Sequence, residues 1–267
     1  MNPPASLYKY EAFSTQSLLN LKGQIIYFGS PLKFNDPYDC ALTPNILIPT
    51  DFEIETIRQA YLKMPNIPAR SRQDLEVFDP PRMRESLMRA ARTGFSEMVD
   101  KFLAQRGVAC FSETNDDLLM WSHYGGHYKG FCLEFNTSTE PFKKINQVKY
   151  VSMLPGISIS NALLDSDFHP VQELFCTKSK AWEYEKEWRA IHGVAGTQFR
   201  YSPETLTGVY FGPDIDEQSL EILCLILAGQ NESVQLWRGK RSTTEFRVLF
   251  EPFTYMSYLD AKRRGLR

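Results

Sequence analysis

Apolar and polar positions change period several times along the chain, and the changes mark out its elements. Leu7-Tyr8-Lys9-Tyr10 alternates and predicts a short strand. Ser14 to Leu21 has helical spacing and predicts a helix stopped by Gly23. Gln24-Ile25-Ile26-Tyr27-Phe28 is a compact apolar run, expected as a largely buried strand. Turn-forming residues follow, first Gly29-Ser30-Pro31 and then Phe34-Asn35-Asp36-Pro37-Tyr38-Asp39.

Thr50 and Glu53 make a capping box for a helix predicted from Thr50 to Met64, with Pro65 as its stop. Asp79-Pro80-Pro81 opens a longer helix, along which Met83, Leu87, Ala90, Ala91, Met98 and Phe102 recur near helical spacing. Arg82, Arg84, Arg89 and Arg92 read as its solvated face. Residues 50–105 are therefore expected as a helical insertion within a single domain spanning 1–267.

Gly107 to Phe111 predicts the next strand, and Thr114 the cap of a short helix holding Leu118, Leu119 and Trp121. Gly130 to Phe135 and Val148 to Val151 predict strands, and Asn161 to Thr177 a helix kinked or split at Pro170. Strands are expected near Glu187 to His192 and at Val209-Tyr210-Phe211. Asp214 and Glu217 are expected to cap a helix from Ile215 to Ala228, with Gly229 as its stop, and strands at 234–237 and 246–250 close the chain. Many short strands with irregularly placed helices predict an α+β fold rather than a regular βαβ series.

Composition narrows the setting. At 267 residues with 43% hydrophobic and 23% charged, the chain can bury a sizeable core. A net charge of -2 gives no general attraction to nucleic acid or anionic membrane. The basic end Lys262-Arg263-Arg264-Gly265-Leu266-Arg267 reads as a solvated tail. No apolar run reaches the roughly 18–20 residues that span a bilayer, and the start lacks a signal-peptide pattern. Cys40, Cys110, Cys132, Cys176 and Cys224 are scattered, without a CxxC pair, which fits a reducing, cytoplasmic setting without disulfides.

Three segments carry candidate chemistry. In Met120-Trp121-Ser122-His123-Tyr124-Gly125-Gly126-His127, two of the four histidines fall within five residues, beside glycines that permit close backbone approach. The plainer reading is a helix end whose histidines satisfy terminal carbonyls. A zinc site from His123, His127 and Cys132 is a further alternative, though the intervening strand makes its geometry awkward, and no metal is expected. In Trp182 to Arg189, an extended backbone would put Glu185, Glu187 and Arg189 on one face, where they could place a general acid or base or clamp a ribose. An edge strand with alternating charge is the competing reading. Asn35 and Asp36 form the third segment, read either as site residues or as Asx-turn residues. The dinucleotide, Walker, zincin and nucleophile-elbow motifs are all missing.

Taken in order, these segments resemble the bacterial domain of unknown function 2971 family. The likeness rests on Leu7-Tyr8-Lys9-Tyr10, Tyr27-Phe28, Phe34-Asn35-Asp36-Pro37-Tyr38-Asp39, Cys110-Phe111-Ser112, Met120 to Tyr124, His127 to Phe135 and Tyr184 to Arg189, with Tyr38 where phenylalanine is usual. The order of parts is also similar to an ADP-ribosyltransferase-type NAD-binding fold, which implies a mixed, mostly antiparallel sheet. That resemblance implies NAD as substrate, Glu187 as the catalytic carboxylate, Tyr124 as the ring stacked on nicotinamide, and His123 or His127 on phosphate or ribose. It places Tyr8, Lys9, Tyr10, Ser112, Trp121 and Arg189 around the cofactor. Lys9 stands where that fold carries His or Arg, and lysine lacks the planar fork of a guanidinium. The role implied is modification of a protein or nucleic acid, or hydrolysis of NAD, in a toxin or anti-phage effector. Two other readings stay open. One is a nucleic-acid hydrolase or binding effector with His123 and His127 as acid and base and Arg189 on phosphate. The other is a non-catalytic sensor or partner-binding module with an aromatic interaction face.

Overall fold

The structure is a computed structural model and describes residues 2–40, 45–164, 173–231 and 233–266. In chain order its strands are β1 (Ser6–Glu11), β2 (Ile25–Tyr27), β3 (Asn45–Leu47), β4 (Gly107–Ser112), β5 (Phe131–Asn136), β6 (Ile145–Gln147), β7 (Lys149–Val151), β8 (Gly156–Ser158), β9 (Thr177–Ser179), β10 (Glu187–His192), β11 (Gln198–Arg200), β12 (Leu206–Phe211), β13 (Gln235–Arg241) and β14 (Val248–Phe253). Its helices are α1 (Thr15–Gly23), α2 (Asp51–Leu62), α3 (Ala69–Val77), α4 (Pro80–Gln105), α5 (Leu118–His123), α6 (Ile159–Leu164), α7 (Glu217–Ala228) and α8 (Tyr258–Arg263). The fold is α+β, as the sequence predicts.

The chain divides into two compact units. The first comprises Met1–Gly29, Gly107–Val148 and Ala181–Arg267, and the second Ser30–Arg106 and Lys149–Lys180. The helices expected as an insertion at 50–105 therefore share their unit with flanking segments on both sides.

The first unit is built on a mixed, mostly antiparallel eight-stranded sheet in the order β14-β13-β12-β5-β1-β4-β10-β6. Among the described residues, only its β12–β13 ladder is parallel. Alternation along β1 explains why both faces are used. Leu7 is buried on one face, among Phe111, Phe131, Phe135, Trp188 and Phe211, with Leu21 of α1 and Leu223 of α7. Tyr10 is buried on the other, among Cys132, Tyr210 and Val248, with Met120 and Trp121 of α5. Each fully buried side chain of this kind contributes about 1.5–3 kcal/mol.

The second unit holds α2, α3, α4 and α6 with two small parallel strand pairs, β3–β8 and β7–β9. Ile54, Ile57, Met83 and Ile159 form its core. The capping box at Thr50 is present, with Thr50 N donating to Glu53 Oε2 at 2.8 Å. Lys178 and Asp39 form a buried ion pair at 3.2 Å.

Several local expectations need correction. Gly23 is the last residue of α1, and Gln24 takes the left-handed cap at φ 53. Asp117, not Thr114, caps α5, because its Oδ1 accepts from the N–H groups of Leu119 and Met120 at 2.8 and 3.0 Å. Asp216, not Asp214, caps α7 by accepting from Ser219 N at 2.8 Å, and Asp214 is paired with Arg241 instead. Helix α3 has no buried residue, so it left no apolar stripe to find. Part of the basic end is helical, because Ser257 caps α8. The helix expected over 161–177 is only partly visible as α6, and residues 165–172, including Pro170, lie outside the described ones.

Candidate functional site

The register of the central strands aligns five residues from five strands. Gly208 of β12 faces Glu134 of β5, Glu134 faces Tyr8 of β1, Tyr8 faces Ser112 of β4, and Ser112 faces Glu187 of β10. Directly paired residues project to the same side of a sheet. The row therefore lies on the face that also carries Tyr10, Cys132 and Tyr210, opposite the face covered by α1 and α7.

At the Glu187 end, Arg189 follows two residues later on the same face. Its Nε donates to Glu187 Oε1 at 2.7 Å and its Nη2 to Oε2 at 2.9 Å. Arg189 is 0% and Glu187 4% exposed. Such a bidentate pair fixes the carboxylate in one plane. Glu185 lies before the strand, in a 3-10 turn, and Lys186 at φ 43 separates it from Glu187. The three charged residues thus do not share one extended face, because the left-handed residue breaks the alternation. Strand β10 is also not an edge, since β6 pairs on its far side.

Glu185 is nevertheless brought to the row by two hydrogen bonds. Tyr124 Oη donates to Glu185 Oε1 at 2.6 Å, and Ser112 Oγ donates to the Glu185 carbonyl at 2.7 Å. Beside them lies a cluster of rings. His123 is 6.2 Å from Tyr124, 6.2 Å from Trp182 and 6.4 Å from Tyr184, centroid to centroid. His123 is exposed. Tyr8, Tyr124 and Tyr184 are half-buried and pack on the core around Tyr10 and Trp121.

Behind α5 the backbone is strained. Gly126, His127 and Tyr128 take φ of 57, 55 and 67, three left-handed residues in succession. A left-handed non-glycine residue costs about 1–2 kcal/mol. The turn is held by its neighbours: Gly130 N donates to Gly125 O at 2.9 Å, Gly212 N to Gly130 O at 2.9 Å, and Asp214 N to Tyr128 O at 3.1 Å. Gly130 has no room for a side chain, since a Cβ there would lie 2.2 Å from the Glu11 carbonyl. Strain of this kind concentrates at functional sites.

At the other end of the row, Tyr210 Oη donates to Glu134 Oε2 at 2.9 Å. Tyr8 meets the Tyr210 ring edge-on at 5.9 Å, and Trp237 stacks on Tyr210 at 5.9 Å with the planes 6° apart. Burial, and after it the Glu134 carboxylate, pushes the Tyr8 phenol up to about 12.

The expected site residues separate accordingly. Tyr8, Ser112, Tyr124, Glu185 and Glu187 come together. Lys9 does not: its neighbours Tyr8 and Tyr10 face the row, while its own ammonium lies 5.9 Å from the Phe111 ring and 3.5 Å from Glu11 on the opposite face. Tyr10 and Trp121 are core residues. Tyr10 Oη donates to the Thr114 carbonyl at 2.9 Å, Trp121 Nε1 donates to the Asn115 carbonyl at 2.7 Å, and the two rings meet at 5.2 Å. Arg189 is not presented to a ligand, because it is fully buried and committed to Glu187. His127 is exposed on the strained turn, whereas Cys132 is fully buried, so no zinc set forms from them. Among the described residues no group of three or more His, Cys, Asp and Glu could hold a metal. Asn35 and Asp36 belong to the second unit, where Asp36 Oδ1 accepts from Tyr38 N at 2.9 Å in an Asx turn. Glu134, Tyr210, Trp182 and Tyr184 were missed. A glutamate inside the apolar run Phe131 to Phe135 was the available signal.

The fold and site define an α+β protein whose central sheet carries a polar row set among aromatic rings. Residues 120–190, which take in the strained turn and most of α5 and of β10, match the family described as "Protein of unknown function (DUF2971)". This supports the first resemblance drawn from the sequence and not the second, to an ADP-ribosyltransferase-type fold. No curated protein and no solved structure matches the chain. Among the described residues, no helix is long and apolar enough to cross a membrane.

Proposed function

We propose that the first unit is an ADP-ribosyltransferase-like enzyme that takes NAD on the face bearing this row, and either modifies a macromolecule or hydrolyses NAD. One observation carries the reading: the register that sets Tyr8, Ser112 and Glu187 side by side on three neighbouring strands. Nicotinamide in NAD is a flat cation. A wall of tyrosine rings beside two carboxylates suits it, through cation–π attraction and direct charge pairing. When the glycosidic bond breaks, the positive charge passes to the ribose, and a carboxylate held in place by Arg189 and needing no reorganisation would stabilise it. Tyr124, anchored by Glu185, would orient the departing base. The family match does not bear on this activity. Action on a protein or nucleic acid, and a role as a toxin or anti-phage effector, belong to the same proposal.

The test is incubation with NAD, measuring both nicotinamide release and transfer of label to lysate protein or nucleic acid, in wild type and Glu187→Gln. Release or transfer that Glu187→Gln abolishes supports the reading. A folded wild type that neither binds NAD by calorimetry nor releases nicotinamide overturns it.

The burial of Glu187 and Arg189 favours a second reading, in which the pair is structural and the aromatic face is a non-catalytic binding surface. A nucleic-acid hydrolase has less support, because that reading asked Arg189 to contact phosphate.

A further inference from the structure

Resting on the reading that this face takes a nucleotide, we propose that Glu134, Tyr8, Tyr210 and Trp237 form a ribose-binding subsite at the opposite end of the row from Glu187. Glu134 is a carboxylate in the middle of an apolar strand whose neighbours Leu133 and Phe135 are core residues, so packing alone does not account for it. Tyr210 holds one of its oxygens, Oε2, at 2.9 Å. Its other oxygen accepts no hydrogen bond among the described residues, and the side chain is partly exposed. Gly208 makes room for the Glu134 carboxylate itself, since a Cβ there would come within 2.7 Å of Oε2. Trp237, stacked on Tyr210, has a buried indole N–H with no acceptor among the described residues.

These groups match what a ribose offers. A carboxylate accepts from a vicinal diol, as acidic residues do in dinucleotide sites. An unpartnered indole N–H donates to a sugar or phosphate oxygen. The aromatic rings give the sugar or its base a flat surface. The spacing selects the ligand class. From β5 to β10 there are three strand intervals, which at about 4.8 Å each separate Glu134 from Glu187 by about 14 Å. A mononucleotide reaches one end of the row. A dinucleotide, with two riboses joined by a diphosphate, reaches both.

Calorimetric titrations with NAD, ADP-ribose and nicotinamide mononucleotide test this. Glu134→Gln is expected to weaken NAD and ADP-ribose by about tenfold or more, the loss of one hydrogen bond to a charged acceptor, and to leave the mononucleotide unchanged. Trp237→Phe is expected to weaken NAD and ADP-ribose without lowering the Tm of the free protein through any lost hydrogen bond. It keeps the test open should Glu134→Gln fail to fold. If both folded variants bind NAD like wild type, the subsite is overturned. If wild type ignores NAD but binds ADP-ribose or adenosine monophosphate, and Glu134→Gln loses that binding, the subsite stands while the nicotinamide reading falls. If no nucleotide binds wild type, the subsite is overturned as well.

Discussion

The guanidinium of Arg189 grips the carboxylate of Glu187 through two bonds of 2.7 and 2.9 Å, although the residues are neighbours on one face of a single strand. Both charges are out of water. Desolvating them is costly, and removing one partner leaves the other exposed to that cost. Arg189→Ala is expected to lower stability by about 3–5 kcal/mol in urea titrations. Arg189→Lys should recover little of it, because one ammonium cannot make both bonds. A loss under about 1 kcal/mol would show that the pair does not hold the strand.

Tyr124→Phe deletes only the hydroxyl that Glu185 accepts at 2.6 Å. A hydrogen bond to a charged group is worth about 1.5–3 kcal/mol, so stability should fall by that order. Under the proposed activity, nicotinamide release per folded molecule should fall as well, measured beside Trp121→Phe, which alters the core without touching Glu185. Equal rates in wild type and Tyr124→Phe would remove this ring from the proposed reaction.

The left-handed run at 126–128 makes two opposed expectations. His127→Gly relieves the strain at φ 55 and should raise stability by about 1 kcal/mol. Gly130→Ala drives a methyl into the Glu11 carbonyl and should lower it by at least about 1–3 kcal/mol. Thermal unfolding of the two variants checks both signs. A destabilised His127→Gly would mean that the imidazole makes contacts outweighing the strain.

Alkaline pH should expose the Tyr8 environment. An unfolded tyrosine ionises near pH 10, whereas the folded Tyr8 phenol is pushed up to about 12. Below pH 10 both states hold the proton and nothing is lost. Between about 10 and 12 the unfolded chain releases it first, so stability declines as pH rises through this window. Tyr8→Phe should flatten that decline in denaturation curves collected across it. An unchanged slope would show that Tyr8 titrates normally.

Local chemistry was the readable part of the sequence. The strands at Leu7, Gly107, Gly130 and Glu187 were legible because alternation and apolar runs follow directly from burial on a sheet. The box at Thr50 and the Asp79 cap were legible because capping is settled within four residues. Caps at Asp117 and Asp216 were misplaced by a few residues, since several acceptors stood close together. The site was half legible. Glu187 and Tyr124 could be suspected from their neighbours, but the row depends on strand register between segments about a hundred residues apart. That register also decides that Tyr8 faces the row while Lys9 faces away, a distinction that one residue of slip would reverse.

Strand β1 has a consequence for how the chain is made. It lies between β5 and β4 in the centre of its sheet, yet it precedes both by about a hundred residues. Translation at about 5–20 residues per second delivers those partners roughly 5–25 s after β1 leaves the ribosome. During that interval a strand carrying Leu7, Tyr8 and Tyr10 has neither ladder completed. Its early companion is α1, which follows it directly. The central strand of the sheet is thus a segment whose pairing waits on synthesis, and the nascent chain is most exposed to misassociation before residue 136 appears.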